Sequence, residues 1–205
     1  ASRGLGDVYK RQVADASVGV ELLEDCAEHD HDHDEHGHEH AVNAHIWLDA
    51  GNAVLMVNNL ADGLMSALPA HAEAIAANRD AYAARLTALD AELTAALADL
   101  PRKDIITFHD GFAYFADAFG LTILEAVEEE SGSEASAKEL IHLIEEVEHH
   151  ELPAVFTEKS GSVSAAGIIA AETGAKLYTL DMAMAGDSYF DAMYRNIDTL
   201  REALQ

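Results

Sequence analysis

Residues 104–127, DIITFHDGFAYFADAFGLTILEAV, decide the fold. Residues 104–108 are a short β-favouring run and predict a strand. Residues 110–119 predict a helix, and residues 121–127 a second strand. The same alternation continues to the end of the chain. A helix is predicted from 137 to about 151, opened by Ser136 and Glu139 at capping-box spacing. A strand follows at 154–157, then a helix at 163–173 stopped by Gly174. The last pair is a strand at 176–180 and a helix at 188–204, with Ser188 and Asp191 at N-cap spacing. Four β-α units in succession imply an α/β lobe with a parallel sheet and helices on both faces.

Upstream of this lobe, residues 49–100 read as one long helical stretch. Apolar residues recur every three to four positions at Val54, Leu55, Val57, Leu60, Leu64 and Leu68, then at Ile75, Tyr82, Leu86, Leu89, Leu93 and Leu97. Pro69 bends or divides the stretch, and Pro101 follows its end. Residues 18–23, VGVELL, predict a short strand belonging to an earlier region. Residues 25–44 have no apolar period and are expected to be a flexible loop.

That loop carries EHDHDHDEHGHEH at 28–40. His29, His31, His33, His36, His38 and His40 alternate with acids there, and imidazole and carboxylate both donate to borderline cations, so the tract is expected to bind metal. His45 stands apart, just before Ile46-Trp47-Leu48. In the α/β lobe, ligands bind beyond the carboxyl ends of strands. That rule selects His109 after the first strand and Asp181 after the fourth, with Glu125 and Glu158 at the ends of the other two. Two imidazoles and a carboxylate are a usual part-set for Zn²⁺.

Composition narrows the partners. The formal charge is −26, from 38 acids and 12 Lys and Arg. Such a surface repels nucleic acid and anionic membranes and suits cationic ligands. The single cysteine, Cys26, excludes an internal disulfide and a cysteine-based zinc cluster. No run reaches the roughly 18 apolar residues of a membrane span. Residues 1–12, ASRGLGDVYKRQ, hold three of the cations and no apolar signal region. They are expected to be a non-native leader.

The order HIWLD at 45–49, a long helix, FHDGFAYF at 108–115, VFTE at 155–158 and ETGAKLYTLD at 172–181 resembles the metal-binding solute-binding proteins of ABC importers, in their zinc-binding branch. The resemblance covers residues 13–205. It implies two α/β lobes joined by a long helix, with the metal between them. On that pattern residues 13–28 are a remnant of the N-terminal lobe and 29–44 the His/Asp-rich loop. Residues 45–101 carry a ligand and the linking helix, and 102–205 form the C-terminal lobe. The ligands implied are His45, His109 and Asp181. A further histidine of the N-terminal lobe has no counterpart here, and Met182-Ala183-Met184 replaces the Pro-Leu-Gly of many relatives.

A histidine at 109, where manganese importers carry a carboxylate, favours Zn²⁺. The implied function is extracytoplasmic capture of Zn²⁺ and delivery to an ABC permease, by a non-enzymatic, monomeric protein in the periplasm or anchored outside the membrane. The alternatives are a manganese or other divalent-metal binder or adhesin of the same fold, and a zinc hydrolase using the same three residues. The tract at 29–40 would then be an accessory that feeds the main site. His142, Glu146 and His149 share a helical face, but a solvated helix end is the simpler reading. Glu158 is a candidate acceptor for a ligand imidazole.

Overall fold

The computed structural model describes residues 13–23, 42–127, 135–159, 164–184, 186 and 188–205. Residues 1–12 and the histidine tract at 29–40 lie outside the described residues, as does Cys26. Strand β1 (Asp104–Thr107) is followed by a 3₁₀ turn (Asp110–Phe112), and helix α3 (Ala113–Phe119) leads into β2 (Thr122–Ala126). Before them stand α1 (Ala50–Ala67) and α2 (Ala72–Leu97). After them come α4 (Ala137–His149), β3 (Ala154–Glu158), α5 (Ser164–Thr173), β4 (Lys176–Leu180) and α6 (Tyr189–Ala203). Gly120 adopts the left-handed conformation, φ +65°, that closes α3. The Leu121 N–H then donates back to the Ala116 carbonyl at 2.9 Å, turning the chain into β2.

All four strands run in β-α order and pair in parallel, as expected of this lobe. Hydrogen bonding divides them into two ladders, β1 with β2 and β3 with β4. β1 packs beside β3 without a ladder among the described residues. Successive strand side chains point to opposite faces, and each face has its own core. Ile105, Phe156 and Leu180 join α2, α3 and α6 through Leu86, Leu89, Leu93, Phe115, Met193 and Leu200. Ile106 and Val155 join α4 and α5 through Leu143, Val147 and Ile169. A sheet buried on both faces explains why β3 is buried at all five residues.

Of the two outcomes expected at Pro69 the structure takes division: residues 49–100 hold two helices that pack against each other. Leu68 leaves helical geometry at φ −128°, ψ 61°, because the following Pro69 disfavours the α region before it. Arg79 on α2 then reaches back to Asp62 on α1 at 3.7 Å. One expectation is corrected, the strand at 18–23. Residues 18–23 form no strand: a turn occupies 16–19, with Gly19 at φ +83°, which extended pairing does not allow. The end of this segment is nevertheless held. The Leu23 N–H donates to Tyr114 Oη at 3.0 Å, and its carbonyl accepts from the Asn43 N–H at 2.9 Å.

Candidate metal centre

His109 stands two residues beyond β1, Glu158 ends β3, and Asp181 directly follows β4. Parallel strands bring these three carboxyl ends to one edge, as the strand-end rule requires. His45 arrives from outside the lobe, on the segment before α1. Several hydrogen bonds pin that segment down. Tyr114 Oη donates to the Asn43 carbonyl at 3.1 Å, and Trp47 Nε1 donates to the Met182 carbonyl at 2.8 Å. Tyr189 Oη donates to the Trp47 carbonyl, also at 2.8 Å. Trp47 thus anchors the segment through its indole N–H and its backbone. Asp49 caps α1 by accepting the Gly51 N–H at 2.7 Å.

The two imidazoles meet edge to face, with ring centroids 5.0 Å apart and Nε2 atoms 3.4 Å apart. Both rings are oriented from behind. His109 Nδ1 is in direct contact with the Glu158 carboxylate. His45 Nδ1 lies 3.0 Å from Asn43 Oδ1, which also accepts the His45 backbone N–H at 3.0 Å. Each Nδ1 therefore donates its hydrogen outward, and each Nε2 presents a lone pair inward. Two lone pairs facing each other at 3.4 Å repel unless a cation lies between them. Two nitrogens bound to one tetrahedral Zn²⁺ at 2.0–2.1 Å would stand roughly 3.3 Å apart, so the gap fits that ion. Glu158 therefore stands behind the His109 imidazole, where an acceptor that orients a metal-binding ring would stand.

The third donor that geometry supplies is Asp110. His45, His109 and Asp110 each offer a ligand atom within 4.8 Å of one another. Asp110 is buried, and its Oδ2 accepts from Asn43 Nδ2 at 3.2 Å. Asp181 is not part of this cluster among the described residues. Its Oδ2 accepts from Arg195 at 2.9 Å and Lys159 at 3.2 Å, and its Oδ1 from the Ala183 N–H at 2.9 Å. Asn196 holds its backbone from both sides at 2.8 Å. Burial pushes the Asp181 carboxyl up, but the Arg195, Ala183 and Lys159 hydrogen bonds outweigh it and hold it below the usual range. The His45 imidazole is pushed below its ordinary value, first by burial and then by His109, against the pull of Asp110 and Glu158.

Asp110 and Asn43 are the residues that sequence reading passed over. The available signal was adjacency, since each stands one or two positions from a selected histidine. His142 and His149 do not join into a cluster among the described residues. His142 lies 3.5 Å from Glu125 and His150 3.4 Å from Glu146, while the His149 ring stacks edge-on against His150.

A family model described as the periplasmic zinc-uptake complex component A, ZnuA, matches residues 3–203. The zinc-binding protein AdcA of Streptococcus pyogenes serotype M6 is 33% identical over 169 residues, which cover 78% of this chain and 33% of that one. The chain thus spans about a third of that curated relative's length. The crystal structure of ZnuA matches with a TM-score of 0.82 at 31% identity, covering 94% of this chain and 70% of that one. The structure of the solute-binding protein FpvC from Pseudomonas aeruginosa in complex with Mn²⁺ matches at 0.78 and 30%, covering 94% and 69%.

Proposed function

The chain belongs to the periplasmic zinc-uptake component A family, and from that premise we propose that it captures Zn²⁺ outside the cytoplasmic membrane and delivers it to an ABC permease. One observation carries the reading: the two inward-facing Nε2 atoms of His45 and His109, 3.4 Å apart, with both Nδ1 atoms engaged behind them. Neutral imidazoles favour Zn²⁺ over Mn²⁺, which prefers oxygen. The likeness to Mn²⁺-bound FpvC keeps Mn²⁺ capture as the second reading. Titration against a chromophoric chelator separates them. One tight Zn²⁺ site per chain and weaker Mn²⁺ binding are expected. A chain that prefers Mn²⁺, or holds neither ion tightly, refutes zinc capture.

The carboxylate donor is assigned by the same titration. Geometry offers Asp110, already beside both rings, whereas the family resemblance points to Asp181, which must first leave Arg195 and Lys159. The ligand's Asp→Asn variant loses about 100-fold or more in affinity, and the other loses less than about tenfold, the lower end of what outer groups contribute. The tract at 29–40 is an accessory on this reading. Deleting it is expected to leave the tight site intact and remove weaker ones, and loss of the tight site in calorimetry would contradict that role.

Protons compete with the metal for Nε2. Burial and the neighbouring His109 hold the His45 imidazole below its ordinary value, which favours its neutral, metal-binding form near neutral pH. Zn²⁺ affinity should change little between pH 8 and 7, then fall as the medium drops below about pH 6.5. Chelator competition across pH 5–8 checks this.

A further inference from the structure

Asn43 lies behind the donor cluster and is only 1% exposed. All four hydrogen-bonding positions of its side-chain amide are used. Oδ1 accepts from the His45 backbone N–H and from His45 Nδ1, both at 3.0 Å. Nδ2 donates to the Asp110 carbonyl at 3.1 Å and to Asp110 Oδ2 at 3.2 Å. The surroundings permit one orientation of this amide. Turned over, it would set its NH₂ against the His45 N–H and its oxygen against two oxygens of Asp110. The backbone is held as well, by Leu23 on one side and Tyr114 on the other.

We propose that Asn43 is the positioning residue of the metal site, joining His45 and Asp110 through one neutral amide. This rests on the zinc-capture reading. By accepting from Nδ1, Asn43 keeps His45 in the tautomer whose bare Nε2 faces His109. By donating to Asp110, it holds a negative group beside the same gap. A single side chain thereby ties the incoming segment before α1 to the loop after β1. The chemistry calls for an amide. A carboxylate at 43 could still accept from His45 but has no hydrogen for Asp110, and it would place two negative charges about 3 Å apart, which is repulsive.

The test needs no metal for its first readout. Long-range ¹H–¹⁵N spectra of the imidazole nitrogens at neutral pH should show His45 protonated at Nδ1 in the parent chain. Asn43→Ala should lose that preference and weaken Zn²⁺ binding by about 10- to 100-fold, the range for groups that orient a metal ligand. Asn43→Asp, of nearly the same size, should keep the Nδ1–H tautomer, so the signal follows the acceptor rather than the packing. Asn43→Ala that retains both the tautomer and the parent affinity overturns the proposal. So does a folded Asn43→Asp that loses the tautomer, and this second arm stands even if the alanine variant does not fold. Absence of a tight zinc site in the parent chain would instead sink zinc capture, leaving the tautomer measurement intact.

Discussion

Replacing His109 by alanine should abolish tight zinc binding while the chain remains folded. His109 contributes one of the two inward-facing Nε2 atoms, and its imidazole is largely buried against His45 and Glu158. Complete four-ligand zinc sites are worth about 10–16 kcal/mol. Shared over four ligands, that is roughly 2.5–4 kcal/mol for each, a loss of about 60- to 800-fold in affinity. The substitution also leaves the Glu158 carboxylate, now without its imidazole partner, near the gap. His109→Asp makes the complementary case. An oxygen donor there should weaken Zn²⁺ and improve the relative binding of Mn²⁺. Chelator competition reads both, and circular dichroism confirms folding. Zinc affinity within tenfold of the parent in His109→Ala would mean that the ion sits elsewhere.

Phe156→Ala should destabilise the chain by about 3–5 kcal/mol, the usual cost of deleting a buried phenylalanine. Phe156 lies in the middle of β3 and is completely buried. Its ring packs toward Tyr178 on β4, with centroids 6.2 Å apart, and it belongs to the core that includes Met193, Ile197 and Leu200 of α6. The core around the deletion is drawn from several separate elements, which cannot all move in, so a cavity remains. Domains of this kind are stable by only about 5–15 kcal/mol, so the variant loses a large part of the total. Urea unfolding measures it as a fall in midpoint. Ile141→Ala, on the exposed side of α4 at 58% exposure, is the control and should change stability by about 0.5 kcal/mol or less. A loss below about 1 kcal/mol for Phe156→Ala would mean that β3 is not central to the core.

The α/β lobe was legible because its signals are local. The β-favouring runs at 104–108 and 176–180, the capping box of Ser136 and Glu139, and the stop at Gly174 each depend on a few adjacent residues. The structure places elements there within a few positions. Glycine at φ +83° spoiled the strand reading of 18–23. The helical period ran through Pro69 unchanged, because a period shows which residues are apolar but not in which direction the chain continues. Pro69 marked a bend or a break between α1 and α2, and only the fold shows that it is a break after which α2 packs back on α1.

Sequence position picked out His45 and His109 as candidates, and the structure brings their rings together. A histidine at a strand end in an α/β lobe, and another on a tryptophan-anchored turn, are positions that topology makes functional. The carboxylate chosen from sequence was Asp181, and nothing local set it apart from Asp110. Asp110 and Asp181 both follow strands closely, and Asp181 directly follows its strand. Only folding brings Arg195 of α6 and Lys159 beyond β3 onto Asp181, and sets Asp110 beside the two rings. Asn43 was invisible for the same reason: an amide has no chemistry of its own to announce, and its role comes from the partners set around it. Residue type and local pattern thus determined which groups could bind metal. Through-space hydrogen bonding, which depends on distances that only the packed chain defines, decided which of them face the gap.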